Sequence, residues 1–518
     1  MVSYLRMRIS LRILISLSLL QALLAPLYTE AHAAASLWRP LASGIEYREF
    51  HLPGPNRVFV ARMARELPQV TLESSIGQGR LSGGAETVRD QAARYDQALS
   101  AWGGEWGARN QVVVAINGSY FDTQTGVPWS GQIHSGWYAK RFADRQRSSS
   151  FIWTSDRRAF VGTCVVHRPG RQVITLQKTG ETFPFEGINV PHSGGNNLIL
   201  YTSQYDAATP TLEEGEKHLE IVVELRQPLG FAPLPAMISG VVRQVLEGSG
   251  ATPLPFDHVV ISAVGKAYQA LHGKVAVGDA IGISQEIHHL QPNCRDPNPE
   301  SWEGAFAGIA SSYIFLAEGV IPSLNDLGAV LRNPRTAIAL NERHIFFIVV
   351  DGRDRLRSLG MSMAELGVFA KTRLGATWGV ALDGGGSSTM VVNGQVVNNP
   401  NPELDKGDQP ITPSPAVTTP APAKVERAVA NGMMMVLVQP KEQSERFQTG
   451  QTVSIVEAGE VNLRLGPGTN YAPLGVVSPG QQGTIVEHPL NGVLAKGYYW
   501  WKIDFGGLIG WVNQDSLG

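Results

Sequence analysis

Three short apolar runs in this chain end in the same way. Gln111 to Ile116 runs into Asn117-Gly118, Ile345 to Val350 into Asp351-Gly352, and Trp378 to Leu382 into Asp383 and three glycines. Such runs, rich in Val and Ile and closed by Asn-Gly or Asp-Gly, read as buried strands that end in tight turns. A chain built this way places polar turn residues on the rims of sheets and is not a helical bundle. The 56 Gly and 32 Pro among 518 residues agree with that. Further strands are expected at Leu198–Thr202, Leu219–Leu225, His258–Ala263 and Met433–Val438. Helical signals are fewer. Ala85–Trp102 sets Val88, Ala92, Tyr95 and Leu99 on one face. Met363–Leu374 is opened by a Ser362/Glu365 capping box and closed by Gly375.

That capped helix lies between the second and third runs. Strand, helix and strand make a βαβ unit, which predicts parallel strands joined by a right-handed crossover. Asp351 and Asp383 then share the rim at the carboxyl ends, where open α/β sheets hold ligands. Asn117 joins them if its strand runs the same way. The expected fold class is α+β: a mixed sheet with a βαβ unit and flanking helices, followed by a small all-β barrel.

The run Gly384, Gly385, Gly386, Ser387, Ser388, Thr389 has the composition of an anion cradle. Glycines allow positive φ and close approach, successive N–H groups can form a nest, and three hydroxyls add donors. Phosphate suits such a site, and Arg335 offers a two-pronged partner for it. A plain Gly-rich hairpin is the competing reading, because Asn393-Gly394 follows closely. Two carboxylates, Asp383 and Asp351, share the rim with this glycine run. For Asp351, turn formation or metal binding is the alternative. Oxygen ligands there would suit calcium or magnesium, but no motif requires a cofactor and no metal ligands are assigned. His134 and His288-His289 lack ligand spacing. The basic stretch Lys140, Arg141, Arg145, Arg147 reads first as a solvated loop.

The two ends carry separate messages. Arg6, Arg8 and Arg12 precede an apolar run from Ile13 to Tyr28, and Ala31-His32-Ala33 offers small residues for cleavage. Residues 1–33 thus read as a signal peptide, with export to the periplasm or cell exterior and no transmembrane anchor after cleavage. Export permits a disulfide between Cys164 and Cys294; two buried thiols are the alternative. The 43 Lys plus Arg nearly balance the 45 Asp plus Glu, so no basic excess points to nucleic acid. Residues 400–422 are Pro-rich and read as a disordered insertion, because the apolar run after them looks like a strand returning to the first domain. The domain boundary falls at 439–451. Residues 452–518 resemble the bacterial SH3-type domain through Asn462, Arg464, Gly466, Pro467, Gly468, Gly480, Trp501 and Gly510-Trp511-Val512. That resemblance implies binding of cell-wall peptidoglycan or glycan. Tyr471, Tyr498, Tyr499 and Trp500 are candidates for the contact, with Trp501 and Trp511 as core.

The segments ALDGGGSSTMVVNGQVVNNP, RTAIAL and AINGSYFD, supported by NNLILYTSQYD and VVISAVGKA, together resemble the phosphodiester glycosidase family. The likeness spans Val58 to Val438 within a domain of residues 34–438. It implies hydrolysis of a sugar-1-phosphodiester, releasing the sugar and a phosphomonoester, with a carboxylate, Asp383 first and Asp351 second, to activate water or to stabilise positive charge. It also implies a site lined by Asn117, Arg335, Thr336, Asp351, Asp383, Gly384 to Gly386 and Ser387 to Thr389. Ala339 stands where Gly is more usual, and the Pro-rich insertion lengthens a link that is normally short. The resulting expectation is a secreted hydrolase of N-acetylglucosamine-1-phosphodiester-like linkages in cell-wall or extracellular polysaccharide. The alternative is a non-catalytic envelope glycan-binding protein. No Cys–His pair or zinc signature supports a wall amidase or peptidase.

Overall fold

The structure, a computed structural model, describes residues 37–142, 149–163, 172–193, 195–212, 215, 217–226, 237–248, 250–285, 304–400 and 425–518. The segment 1–33 that reads as a signal peptide, both cysteines, Arg145, Arg147, His288, His289 and nearly all of the Pro-rich stretch lie outside the described residues. The elements that frame the site are β1 (Val70–Ile76), α1 (Val88–Tyr95), β2 (Ala108–Asn117), β3 (Arg335–Leu340), β4 (His344–Val350), α2 (Met363–Leu374), β5 (Trp378–Ala381), β6 (Met390–Val392) and β7 (Asn431–Gln439).

Alternation along β4 shows how the layers form. Ile345, Phe347 and Val349 enter one core, while Phe346, Ile348 and Val350 enter another. All six are buried, each worth roughly 1.5–3 kcal/mol on folding. Burial on both faces demands a layer on each side. On one side α2 lays Met363, Leu366, Phe369 and Ala370 against the sheet. On the other, the first core is shared with β1, β2, β6 and β7 through Leu72, Ile116, Met390, Met433 and Met435. The outer face of that second sheet is covered by α1, whose Val88, Ala92 and Tyr95 meet Ala115, Met434 and Val436. The centre is therefore two face-to-face sheets with one helix on each outer face.

The first sheet has seven strands, ordered Arg39–Ala42, Ile45–Leu52, Asn56–Ala64, β4, β3, β5, Tyr313–Leu316. The second has six, with Gln395–Val396, β6, β2, β7 and β1 in order and Leu99–Ser100 beside β2. A five-stranded sheet adds Phe151, Trp153, Phe306 and Ile309 to the shared core. An eight-stranded sheet surrounds its own core of Ile174, Leu200, Ile221, Val242, Ile261 and Ile283.

This overturns the α+β expectation. Among the described residues strands make up 47% and helix 10%, so that part of the protein is mostly β. The capped helix forms as expected, with Ser362 and Glu365 closing a reciprocal box and Gly375 left-handed at φ 65°. However, β4 and β5 are not neighbours. Strand β3 lies between them and pairs antiparallel with both, so β4 and β5 run parallel across it. Every ladder of this sheet is antiparallel. The first predicted helix is shorter than expected. Asp96 is extended and Gln97 has φ 57°, which ends the helix before Leu99 enters a strand.

Candidate active site

Antiparallel pairing decides what reaches one rim. The ends of β2, β4 and β5 meet the beginnings of β3, β6 and β7, as the registers Arg335↔Val350, Met390↔Ile116 and Gly432↔Asn117 show. Asn117, Arg335, Thr336, Asp351 and Asp383 through Thr389 thereby gather along one edge of the paired sheets.

Asn117 is fully buried and ties the two sheets together. Its Nδ2 donates to the Asp383 carbonyl at 2.8 Å, and its Oδ1 accepts from Thr336 Oγ1 at 2.7 Å and from Thr389 N at 3.1 Å. Gly118 beside it admits no side chain, because a Cβ would stand 2.2 Å from Asn431 Oδ1. Its carbonyl accepts from Asp383 N at 2.9 Å. Asn431, which the sequence reading did not single out, is a second tie. It accepts from Ser119 N at 2.9 Å and donates to Gln132 Oε1 at 3.0 Å.

Asp383 is 8% exposed. Burial pushes its carboxyl up to about 6, against the pull of the Ser387 hydroxyl, the Arg427 guanidinium and the Gly384 N–H. Arg427 also reaches Ser387 Oγ at 3.4 Å. Its only sequence signal was its place just after the Pro-rich stretch. Asp351 is buried as well, and burial raises its carboxyl. Its Oδ1 accepts from Asn399 N at 2.9 Å and from Asn398 Nδ2 at 3.1 Å. Asn398 also donates to the Ser388 carbonyl at 2.8 Å and accepts from Met390 N at 2.8 Å, so it couples Asp351 to the glycine loop.

The glycine loop folds as a short 3-10 turn over Gly385–Ser387, with Gly385 at φ +60°. Several of its amides already have protein acceptors. Gly385 N donates to Pro334 O at 3.1 Å, Ser387 N to Gly384 O at 3.3 Å and Ser388 N to Gly385 O at 3.2 Å. Two of its hydroxyls, Ser388 Oγ and Thr389 Oγ1, are buried and unpartnered. Arg335 is mostly engaged too. Its Nε donates to Met361 O at 2.7 Å, and its Nη2 to Gly328 O at 2.8 Å and Leu331 O at 2.6 Å. Ala339 points into the α2-side core, on the opposite face of β3 from the inter-sheet core.

Other sequence candidates fall elsewhere. Lys140 donates to the Pro128 carbonyl, and Arg141 to the Phe185 and Glu186 carbonyls, so both brace loops. His134 bonds Ser74 O at 2.8 Å and faces Glu73. Among the described residues no group of three or more His, Cys, Asp or Glu could hold a metal ion. A cavity of about 490 Å³ beside the C-terminal module, bordered by Tyr95, His134 and Tyr471, touches none of Asn117, Arg335, Asp351 or Asp383.

The C-terminal module forms a seven-stranded sheet with Leu463, Trp501, Ile503 and Val512 in its core. Trp511 is buried as expected, but against Phe256 of the large domain, 5.6 Å away. Trp500, expected as a contact residue, is only 2% exposed because it fills the same junction. Tyr471 packs there too, and Tyr499 donates to Glu442. Tyr498 is exposed and borders a groove of about 210 Å³ with Glu457, Asn462, Arg464 and Asn513.

Residues 260–434 match the phosphodiester glycosidase family, and residues 459–518 match the bacterial SH3 domain. The two segments are thus similar, in chain order, to a phosphodiester glycosidase domain and to a bacterial SH3 domain. No curated protein matches it. Among solved structures, it is similar to a hypothetical protein from Synechocystis (16% identity, 76% of this chain, 62% of that one, TM-score 0.48). A Burkholderia pseudomallei protein described as exported is 18% identical, with 74% of each chain covered and a TM-score of 0.46. The catalytic domain of zebrafish N-acetylglucosamine-1-phosphodiester α-N-acetylglucosaminidase, auto-inhibited by its pro-peptide, is 13% identical over 76% of this chain and 82% of that one, with a TM-score of 0.34. The chain spans 62% of the length of the Synechocystis protein. No helix among the described residues is long and apolar enough to cross a membrane.

Proposed function

We propose that this protein is an exported hydrolase that cleaves the bond between a sugar's anomeric carbon and a phosphodiester in envelope or extracellular glycan. The sugar is N-acetylglucosamine or a close relative. The observation that carries this reading is Asp383: a buried carboxylate raised to about 6, on a rim with two unpartnered hydroxyls and a guanidinium.

Bond cleavage builds positive charge on the anomeric carbon while the phosphate leaves with negative charge. A phosphodiester needs little protonation to depart, so electrostatic help to the leaving group matters most. Arg427, the remaining Nη1 of Arg335, Ser388 and Thr389 supply it. Ionised Asp383 stabilises the positive centre and guides water to it. Asp351, held by Asn398 and Asn399, positions the loop that carries Ser388. No cofactor enters this scheme, and chelation or addition of calcium or magnesium leaves the rate unchanged. The segment 1–33 directs export, and the SH3 domain's Tyr498 groove contacts wall peptide or glycan. The test is product analysis with an α-N-acetylglucosamine-1-phosphodiester. The wild type releases free sugar and phosphomonoester, with a rate that rises as pH passes about 6 and Asp383 ionises. Asp383→Asn releases neither. Absence of release by the wild type would favour a non-catalytic glycan-binding protein.

A further inference from the structure

We propose that Trp129, stacked on Tyr120 beside the Asp383 rim, is a platform for the face of a pyranose ring in the glycan that carries the phosphodiester. The inference rests on the site reading above but stands on separate residues. Trp129 is 67% exposed and Tyr120 39%, although Trp is among the most buried side chains on average. Their rings lie 6.2 Å apart and 17° from parallel. One indole face therefore rests on the phenol while most of the ring meets solvent.

The pair is held in place. Trp129 N donates to Tyr120 O at 3.0 Å, and Asp122 N to Val127 O at 2.9 Å, which closes a hairpin across residues 120–129. Asp122 Oδ1 caps its turn by accepting from Gln124 N at 2.8 Å and Thr125 N at 3.2 Å. Lys140 donates to the Pro128 carbonyl from outside. A braced aromatic loses little freedom on binding, which favours affinity.

The position is what joins it to the chemistry. Tyr120 interacts with the Ser312 side chain and lies within the field of Asp383 and Arg335. Ser312 Oγ donates to Ala381 O at 3.1 Å and to Leu382 O at 3.5 Å, immediately before Asp383. Tyr313 and Asp326, bonded to each other at 2.5 Å, both interact electrostatically with Tyr120 and offer polar edges for sugar hydroxyls. The negative face of an indole attracts the C–H-lined face of a pyranose, and polar neighbours fix its rotation. A sugar seated there lies next to the reacting centre, so the platform selects phosphodiesters borne on oligosaccharide.

The test is calorimetric titration of the full-length chain with two phosphate-free probes, chitotriose and cellotriose, followed in parallel by indole fluorescence. At least one trisaccharide should bind the wild type. Trp129→Ala should weaken that binding about tenfold, and Trp129→Phe should retain part of it. No binding of either probe, or equal affinity in Trp129→Ala, overturns the platform. The readout needs no turnover. Binding that depends on Trp129 without any release of sugar from phosphodiesters would overturn the hydrolase and keep the platform. Turnover without trisaccharide binding would do the reverse.

Discussion

Asp383 carries a stability cost that follows from its burial. Its carboxyl sits at about 6 in the folded protein, against 3.8 for an unperturbed one. Between those values the folded state holds a proton that the unfolded chain has released, so stability falls as pH rises through that window. Above it, the ionised carboxylate costs roughly 2–3 kcal/mol. Asp383→Asn is therefore expected to melt a few degrees above the wild type at pH 8. The difference should vanish below the unperturbed value, where both forms are neutral. Equal melting at pH 8 would show that the buried charge is better compensated than the geometry implies. An inactive but more stable variant is the signature of a residue kept for chemistry.

At the scale of elements, the sequence announced the strands and the capped helix but not how they pair. The runs ending at Asn117, Asp351 and Asp383 are strands, and α2 begins and ends at the residues its caps require. Local patterns carry that information because capping and alternation act within a few residues. The insertion of β3 between β4 and β5 is not local: nothing in a strand–helix–strand run tells which third strand lies between. The same limit hid Asn431, Asn398 and Arg427, whose roles come from chain segments dozens to hundreds of residues away. The glycine run was legible as a special turn. Its amides turned inward because Pro334, Asn117 and the turn's own carbonyls were at hand as acceptors. Trp500 read as exposed because alternation places it opposite Trp501, and only the docked domain explains why both are covered.

The whole molecule joins its two domains through a buried ion cluster as well as a linker. Lys502 reaches Asp257 at 2.6 Å and Glu224 at 3.3 Å, and His488 and His258 flank Asp257 at 3.2 and 2.6 Å. Burial alone would raise the Asp257 carboxyl, but His258, His488 and Lys502 together hold it well below the usual carboxylate range. Its contribution is present above that range and is lost only as pH falls beneath it. The C-terminal module is thus held at a fixed place on the large domain. Lys502→Met should cost about 3 kcal/mol by removing one of the cations that face the buried Asp257 carboxylate, and should speed proteolysis between residues 439 and 451. Unchanged melting and unchanged proteolysis would show that apolar packing around Phe256 suffices.

In the proposed reaction water attacks the sugar rather than the phosphorus. Hydrolysis of an α-N-acetylglucosamine-1-phosphodiester in ¹⁸O-water, with mass analysis of both products before exchange, tests it most directly. The label is expected on the anomeric oxygen of the released sugar, with none on the phosphomonoester. Label on the phosphomonoester would make the protein a phosphodiesterase and contradict the role given to Asp383.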